Sequence, residues 1–361
     1  MPNGMRWVGL DVHAHASTVG VFDDATGEVI TRRVVGRPIE VLDVLRELPG
    51  PLRAVYEAGP TGYGLVRRAR AEGIEMAVCS PGNIERRPGD RIKTDKRDAI
   101  RLARLFAAGD LRLVWVPSEE HEQLRDLVRC REDLRSDLMR ARHRLQTFLL
   151  RRERYFPGPG GRWMLKHRHW LSQQRLDDAP SRITYADYLH AHDVLLARRD
   201  TVGRELERLA PQCAWAATIA RLCCLRGIST LTALGLCAEI GDWRRFDHPD
   251  SLASYVGLVP SEHSSGQSRR QGKITKAGST HARRLLVEAA LHYRLTPAVG
   301  GTLAVRQRGQ DPALIDHAWR VQRRLHARWN RLRIGRGKPA GVVTIAIARE
   351  LVGACWEIAT A

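Results

Sequence analysis

The stretch "RWVGLDVHAHASTVGVFDDATGEVITRRVV", residues 6–35, decides the fold of the first part of the chain. Its opening "RWVGLDV" is typical of a buried strand, and "STVGVFDDATGEVITRRVV" predicts two more strands around the turn "DDATGE". Helix and strand patterns then alternate through "PIEVLDVLREL", "LRAVYEA", "GYGLVRRARAEG" and "IEMAVCS". A last helix, "TDKRDAIRLARLFAAG", is predicted to begin after the N-cap Thr94 and to end at Gly109. The order of elements predicts an α/β domain over residues 1–117.

Four carboxylates are predicted to meet at one end of this domain. Its layout is that of a ribonuclease-H-like fold, in which the first and fourth strands end side by side, and these ends carry Asp11 and Glu57. Asp95 and Asp98, three residues apart, share one face of the last helix. Carboxylates held this close repel one another. The cluster therefore favours two divalent cations, Mg²⁺ or Mn²⁺, which could bracket a phosphodiester.

Each of these residues also has a structural interpretation. Asp11 could cap the following turn, Asp95 could be a first-turn carboxylate favoured by the helix dipole, and Asp98 could pair with a neighbouring arginine. The metal site is predicted by the four together, at these positions. His13 and His15, which alternate beside Asp11, are interpreted as hairpin residues rather than ligands.

The charge balance predicts a polyanionic partner. Lys plus Arg outnumber Asp plus Glu by 59 to 40, for a net charge of +19, and phosphate neutralisation drives most non-specific binding to nucleic acid. An anionic membrane surface is the rival partner. However, no apolar run reaches transmembrane length, and "MPNGMRWVGL" lacks a signal-peptide pattern. The seven cysteines include no CxxC pair, so we expect reduced thiols, no structural zinc site and a cytoplasmic protein.

Residues 118–215 are predicted to form a helical arm. A helix from Ser118 to Arg152 carries apolar residues at heptad a and d positions, a pattern typical of a seam between paired helices or between two copies of a chain. A second helix, at about Tyr185 to Leu209, can return antiparallel to the first. The heptad residues are Leu124, Leu127, Leu134, Leu138, Ala141, Leu145 and Phe148.

Residues 216–361 are predicted to form a mainly α-helical domain. "LCCLRGISTLTALGLCAEIGDWRRF" resembles a helix-hairpin-helix, which grips a phosphate at its turn, although two ordinary packed helices share the pattern. "PSEHSSGQSRRQGKITKAGS" is predicted to be a polar loop before the helix "THARRLLVEAALHYR". In "HAWRVQRRLHARWNRLRIGRGK", Trp319 and Trp329 alternate with arginines, which favours backbone contact and base stacking.

Basic residues around these motifs are predicted to contact nucleic acid. They lie beside the two aspartates of the acidic helix, in the polar segment, and on the two helices after it. They are Lys93, Lys96, Arg97, Arg269, Arg270, Lys273, Lys276, Arg283, Arg323, Arg324 and Arg328.

The motifs together resemble a known family. Asp11, Glu57, Asp95 and Asp98 stand in this order within "GLDV", "YEAGPTGY" and "KTDKRDA". Their arrangement is similar to the DEDD transposases of bacterial insertion sequences (insertion sequence family 110, related to the pilin-gene invertases). The likeness continues through "YVGLVPSEHSSGQSRRQGKITKAGSTHARRLLVEAA", which resembles the C-terminal transposase domain of that family. It extends over essentially the whole chain, and the helical arm is its least distinctive part.

The resemblance implies a RuvC-like N-terminal domain, a coiled-coil linker and a C-terminal domain with a nucleophilic serine. The family pattern places that serine immediately before the glycine, at Ser265; Ser264 is the neighbour that could be mistaken for it. The resemblance also implies recombination of element ends with target DNA, directed by a non-coding bridge RNA, in a nucleoid-associated bacterial protein. Strand exchange needs two active sites, so we expect a homodimer or homotetramer.

Three rival functions remain open from the sequence. A sugar-kinase or actin-like ATPase also begins with a strand, an aspartate and a hairpin. The glycines that those folds place after the aspartate are absent here, however, and nothing in that class needs a charge of +19. A metal-dependent resolvase or nuclease would cleave with water and would not use Ser265. A catalytically silent nucleic-acid-binding protein is the third rival, although Ser265 and the four acidic residues are all intact.

Overall fold

The computed structural model describes residues 4–81, 94–158, 161–265 and 268–361, with the backbone alone at 263–265 and 268–271. The chain divides into two compact units, Met1–Ser118 and Glu119–Ala361. The finer division into three domains stays a prediction. Within the described ranges, no helix is both long enough and apolar enough to cross a membrane.

The first unit contains a five-stranded sheet of the predicted α/β type. Its strand order is β3-β2-β1-β4-β5. β1 pairs antiparallel with β2 and β2 with β3, whereas β1 pairs parallel with β4 and β4 with β5. The strands are β1 (Arg6–Val12), β2 (Ala16–Asp23), β3 (Val29–Val35), β4 (Leu52–Glu57) and β5 (Glu75–Cys79).

Alternate side chains of each strand point to opposite faces of the sheet, and both faces carry apolar residues. Helices therefore cover both faces. Val8 and Tyr56 belong to the apolar core formed with α1 (Val41–Glu47) and α2 (Gly64–Ala71). Val55 points the other way, where it packs with Leu102 of α3 (Asp95–Ala108). The residues that flank Val8 and Tyr56 in sequence therefore face α3.

The predicted boundaries of α3 are confirmed. The Thr94 hydroxyl accepts a hydrogen bond from the Arg97 amide at 3.4 Å, which caps the helix. Gly109 ends it with a left-handed backbone (φ 75°), a conformation that a residue without a Cβ adopts freely. Because the cap fixes where the helix begins, both aspartates fall in its first turn.

The second unit is mainly helical. Two long helices, α4 and α6, pack against each other, with the short α5 between them in sequence. The helices are α4 (Glu119–Leu150), α5 (Leu165–Ser172), α6 (Ala179–Leu209), α7 (Ala216–Leu222), α8 (Thr230–Ile240), α9 (Pro249–Tyr255), α10 (Thr280–Ala290), α11 (Gly301–Gln307), α12 (Pro312–Asn330) and α13 (Ala340–Thr360). A π-helical turn, Arg331–Gly335, follows α12.

The heptad residues of α4 form a seam within the chain. Leu138 and Leu145 are 1% and 0% exposed in the isolated chain, so they are already covered without a second copy. This favours the helix-pair interpretation over a contact between copies. The returning helix begins at Ala179, earlier than the predicted Tyr185, because the Asp178 carboxylate caps it by accepting from the Ser181 amide at 2.7 Å.

Two predictions for the last third of the chain were wrong. The segment predicted as a polar loop forms an antiparallel hairpin of β6 (Pro260–Ser265) and β7 (Ser268–Ile274). It lacks the apolar alternation by which a strand is recognised. Trp329 is 8% exposed and belongs to the apolar core of the unit, so it is not available for base stacking; Trp319 is half-buried.

Candidate metal centre and nucleic-acid surfaces

Two acidic residues lie at the carboxyl ends of neighbouring parallel strands, Asp11 one residue before the end of β1 and Glu57 as the last residue of β4. The register of β1 and β4 pairs Leu10 with Tyr56, so Asp11 and Glu57 occupy the next matching positions. Both follow residues that face the core with α1 and α2, and both therefore lie on the side of α3. Asp11 has 24% of its side chain exposed, whereas Glu57 is exposed. The predicted juxtaposition of these two strand ends follows from the sheet topology.

A pair of glycines lets α3 lie close to these strand ends. Gly9 of β1 pairs with Gly20 of β2. A Cβ at Gly9 would lie 2.1 Å from the Ala99 carbonyl oxygen, so the backbone of α3 rests directly on the strands. Gly9 precedes Asp11 by two residues on the same face. This close approach brings the first turn of α3 toward Asp11. The two glycines were not singled out in the sequence, because their pairing appears only with the register.

The strand end and the helix bring three possible metal ligands together. One ligand atom each of Asp11, His13 and Asp95 lie within 4.8 Å of one another. His13 Nε2 is 3.3 Å from Asp11 Oδ1. The pKa of Asp11 is raised, chiefly by burial and further by the charges of Asp95 and Asp98, while His13 opposes the rise. Asp98 is therefore electrostatically part of the same cluster.

Glu57 occupies the adjacent edge of the cluster. It lies outside the three-residue group formed by the described side chains. Its charge acts on Cys79, its pairing partner on β5: burial raises the pKa of this thiol to about 12, and Glu57 adds to the rise. Of the four predicted carboxylates, the structure thus brings Asp11 and Asp95 together, with Asp98 near them and Glu57 at the next strand end.

The donor set suits a divalent cation. Carboxylate oxygens are the ligands that Mg²⁺ and Mn²⁺ prefer, and a cation would relieve the like-charge repulsion that contributes to the raised pKa of Asp11. His13 does close the hairpin as predicted, because its amide donates to the Ala16 carbonyl at 3.0 Å. Its ring, however, is also a candidate ligand, a role that the sequence analysis had set aside. His13 follows Asp11 by two residues, immediately after β1 ends at Val12, and this proximity in sequence was the available signal.

Most of the described residues that were predicted to contact nucleic acid are exposed, but two are half-buried and have partners within the fold. Arg328 is one of them and forms an ion pair with Glu350. The Arg283 guanidinium donates to the carbonyl oxygens of Val256 (2.9 Å) and Ala277 (2.8 Å), so it supports the loop after β7. Lys93 lies outside the described residues, as do the side chains of Arg269 and Arg270. The exposed residues are Lys96, Arg97, Lys273, Lys276, Arg323 and Arg324.

A cleft of mixed charge lies at the base of the β6–β7 hairpin. It has a volume of about 670 Å³ and is lined by Arg324, Arg328 and Arg349, by Asp250 and Glu350, and by Pro260 and Ile274 at the two hairpin ends. Arg328 forms an ion pair with Glu350, and Arg349 with Asp250. The candidate nucleophile stands at the other end of the hairpin: Ser265 is the last residue of β6, paired with the first residue of β7. The strand backbone therefore links the cleft to the serine.

The predicted helix-hairpin-helix corresponds to α7, a turn and α8. Gly227 in the turn has φ 84°, and a Cβ there would lie 2.6 Å from the Ala289 carbonyl oxygen, so the position requires glycine. Ser229 caps α8 by accepting from the Thr232 amide at 3.2 Å. A cleft of about 600 Å³ opens at this turn, and Arg306 is among its lining residues. Phosphate binding at the turn stays a prediction.

Two family models match this chain. Residues 8–157 match the DEDD domain of a transposase family, and residues 219–298 match a domain described as transposase of the IS116/IS110/IS902 family. A putative transposase, y4qE, from Sinorhizobium fredii is 38% identical over 98% of this chain and 88% of its own length. The transposase for insertion sequence element IS1533 from Leptospira borgpetersenii is 29% identical over 92% of this chain and 98% of its own length.

A pilin gene-inverting protein from Moraxella lacunata is also similar, at 29% identity over 56% of this chain and 54% of its own length. The sheet and its acidic edge define a ribonuclease-H-like DEDD domain, followed by a mainly helical region. The chain belongs to the IS110 family of transposases, enzymes that act on DNA. Its DEDD domain implies a divalent metal and its activity implies binding of DNA.

Proposed function

We propose that this transposase breaks and rejoins DNA with the Ser265 hydroxyl as nucleophile and a divalent-metal site built on Asp11, Glu57, Asp95 and Asp98. The observation that carries the proposal is the convergence of Asp11 and Asp95 at one strand end, where their ligand atoms lie within 4.8 Å of each other. The pKa of Asp11 is raised, first by burial and further by the charges of Asp95 and Asp98, although His13 beside it acts in the opposite direction.

The proposed chemistry balances without an external energy source. The Ser265 oxygen attacks the phosphorus of a phosphodiester, an oxygen–phosphorus bond forms, and the bond to one deoxyribose oxygen breaks. The serine proton passes to a base, and the leaving deoxyribose oxygen takes up a proton. A hydroxyl on another strand then reverses these steps and regenerates the serine. A bound divalent cation would offset the charge that develops on the phosphate.

Lysines at the end of β7 and in the loop that follows it are suited to hold that phosphate. Lys273 and Lys276 are exposed, and the backbone at Lys276 is held in a left-handed conformation (φ 57°). The Lys276 amide donates to the Gly257 carbonyl at 3.1 Å. A Cβ at Gly257 would lie 2.4 Å from the Ala277 amide, so the loop packs tightly there. Fixed cations near an attacked phosphate stabilise the charge that develops on it.

We also propose that a structured bridge RNA guides the reaction and that two or four copies of the chain act together. The net charge of +19 supports two polyanionic partners. RNA should be retained on purification at low salt and lost steeply as salt rises. Protein that is free of RNA at low salt, and that fails to bind the transcript of its own element, would contradict this part of the proposal.

The nucleophile is tested by trapping. Full-length protein is incubated with nicked element-end DNA, and protein–DNA adducts are sought on a denaturing gel and mapped to a peptide. Ser265→Ala should erase the adduct, whereas the matched control Ser264→Ala should leave it. An adduct that survives in Ser265→Ala rejects this serine.

The alternative function is a metal-dependent nuclease that uses water. It is favoured by the acidic cluster alone, which needs no serine. Cleavage that leaves only free phosphate and hydroxyl ends, with no protein attached at any time, would support the nuclease. Tight binding without any cleavage in Mg²⁺ or Mn²⁺ would instead support a silent binding protein.

A further inference from the structure

The far end of the helical arm is strongly basic, although its charge plays no part in the chemistry proposed above. Between residues 150 and 176 the chain carries seven Lys or Arg and one acidic residue, Glu153. We name the described residues of this segment, 150–158 and 161–176, the arm tip. Its basic residues are Arg151, Arg152, Arg154, Arg162, Lys166, Arg168 and Arg175.

The positive charge of the arm tip is largely uncompensated. Among the described side chains, Arg168 is the one of the seven found within 4.0 Å of a carboxylate, that of Asp193 at 3.8 Å. Arg152 donates to the Ser181 hydroxyl at 2.9 Å and Arg154 to the Arg175 carbonyl at 3.4 Å, which are neutral acceptors. Such a charge density attracts a polyanion.

Aromatic side chains lie among these cations. A cavity of about 270 Å³ is lined by Tyr155, Phe156, Trp163 and Trp170 with Arg154 and Arg162. Tyr155 is 62% exposed, and Met164 and Leu165, on the same tip, are 67% and 83% exposed. Large apolar side chains left in water beside aromatic rings indicate a surface that awaits a partner.

The aromatic cavity is held in shape rather than loosely collapsed. Trp163 has a left-handed backbone (φ 73°), which is unusual for a residue with a large side chain. Its amide donates to His167 Nδ1 at 3.2 Å. Its ring stacks on His192 at 4.7 Å, and the Arg142 guanidinium lies 4.8 Å from the ring centre. The fold therefore fixes one wall of the cavity in advance.

We propose that the arm tip binds an unpaired polynucleotide strand, with the arginines on the phosphates and the aromatic side chains on the bases. Duplex nucleic acid hides the faces of its bases, whereas an unpaired strand offers them for stacking beside a basic track. A loop of a folded RNA and a DNA strand opened by recombination share this chemistry. The inference rests on the proposed function for the presence of such strands, but not on the serine or the metal.

The test is a binding titration that needs no catalysis. Full-length protein in chelator is titrated into fluorescently labelled oligonucleotides of one sequence, as single-stranded RNA, single-stranded DNA and duplex DNA, and anisotropy is followed at several salt concentrations. Arg162→Gln with Lys166→Gln should weaken single-strand binding about tenfold and lower the salt slope by roughly 1.4, at about 0.7 for each phosphate contact. If the variant loses affinity for single-stranded RNA, the natural ligand is an RNA loop. If it loses affinity for single-stranded DNA, the ligand is an opened DNA strand.

Matched variants separate the arm tip from general basicity. Arg198→Gln with Arg204→Gln removes two exposed charges from the shaft of the same arm and should leave single-strand affinity within about twofold. Tyr155→Ala should weaken single-strand binding about tenfold, whereas Tyr155→Phe, which keeps the ring, should not. Because all these residues are exposed, unchanged melting temperatures are expected and verify folding.

Several outcomes would overturn the proposal. If the tip pair and the shaft pair lower single-strand affinity equally, the effect is one of net charge. If the tip variants lower affinity for duplex and single strands equally, the tip has no preference for an unpaired strand. Tip variants that bind oligonucleotides normally but no longer bind phosphatidylserine vesicles would make the tip a lipid contact. None of these results depends on adduct formation at Ser265, so failure here and failure of the proposed chemistry are distinguishable.

Discussion

Carboxylates gather at two places in this molecule, and their surroundings there are opposite. At the strand end of the first unit, Asp11 lies near Asp95 and Asp98, with His13 at its side. Its pKa is raised by burial and by the charges of these two aspartates, which outweigh the opposite effect of His13. In the second unit Glu239 is buried more deeply, with 4% of its side chain exposed, yet its pKa is lowered.

The low pKa of Glu239 has its cause in the donors around it. Burial alone would raise the pKa, but it is outweighed by His281, whose Nδ1 lies 3.5 Å from Glu239 Oε1, and by hydrogen bonds from Arg129 and Ser279. Arg129 binds both carboxylate oxygens, at 3.0 and 3.1 Å, and the Ser279 hydroxyl donates at 2.9 Å. These partners come from α4 and from the start of α10. The carboxylate therefore joins three helices.

The difference teaches how to separate a structural carboxylate from a functional one. Where the chain supplies its own cations, removal of the carboxylate leaves a buried positive charge unpaired and lowers stability. Where carboxylates face each other, removal of one relieves repulsion, and the cost falls on activity. Each variant below is chosen so that the two regions must respond differently.

The largest effect is expected from Asp98→Asn. Strand exchange should fall by about a thousandfold, because charge stabilisation at the reacting phosphate is lost, while the free energy of unfolding should not decrease. Recombination of a plasmid carrying both element ends measures activity, and urea titration measures stability. The matched control, Asp110→Asn, removes a carboxylate beyond the other end of the same helix and should leave both unchanged. If Asp98→Asn were fully active but less stable, Asp98 would be a carboxylate that stabilises the fold, as Glu239 does.

Gly9→Ala tests how the acidic cluster is assembled. The added Cβ would lie 2.1 Å from the Ala99 oxygen and 2.6 Å from the Ala103 amide, and both are backbone atoms. The helix must therefore move, which should cost about 3 kcal/mol of unfolding free energy and also lower strand exchange. In Gly64→Ala, nothing lies within 4 Å of the added Cβ, so no loss is expected. Equal stability of the two variants would show that α3 does not need the close approach.

Glu239→Gln should lower the free energy of unfolding by about 2 kcal/mol. The buried pair loses its charge, but the loss is moderated because half of Arg129 is exposed. Glu288→Gln is the control: it breaks an exposed pair with Arg284 and should change stability by less than about 0.5 kcal/mol. Urea titration at neutral pH compares the two, and a smaller loss for Glu239→Gln than for Glu288→Gln would contradict the burial argument.

Glu239→Gln also tests how the free energy of unfolding depends on pH. Because the folded-state pKa of Glu239 lies below the ordinary value of 4.5, its contribution is fully present above pH 4.5 and is lost as the pH falls through the folded pKa. Wild-type protein should therefore lose stability on acidification below pH 4.5 more steeply than Glu239→Gln. Parallel curves for the two proteins would show that the carboxylate has no such shift.

How much of this arrangement the sequence predicts depends on whether the signal is local. The strand ends at Asp11 and Glu57 and the capped start of α3 at Thr94 follow from periodicity and capping chemistry, which act over a few residues. The β6–β7 hairpin escaped prediction because its residues are polar on both faces. The Gly9–Gly20 pair could not be found without the register, and the partners of Glu239 are separated from it by tens of residues.

The smallest effect, and the one that most sharpens the comparison, is stabilisation by metal. Mn²⁺ that binds the folded acidic cluster and not the unfolded chain should stabilise the wild-type protein by about 1.4 kcal/mol at ten times its dissociation constant. Asp95→Asn should abolish this increment, because one of the three converging ligands is replaced by a neutral amide. Glu239→Gln should keep the full increment on a less stable protein, since its carboxylate already has partners in the chain. Thermal unfolding with and without Mn²⁺, followed by circular dichroism, measures all three proteins. An increment that survives in Asp95→Asn, or that disappears in Glu239→Gln, would mean that the metal binds elsewhere and that facing carboxylates do not mark its site.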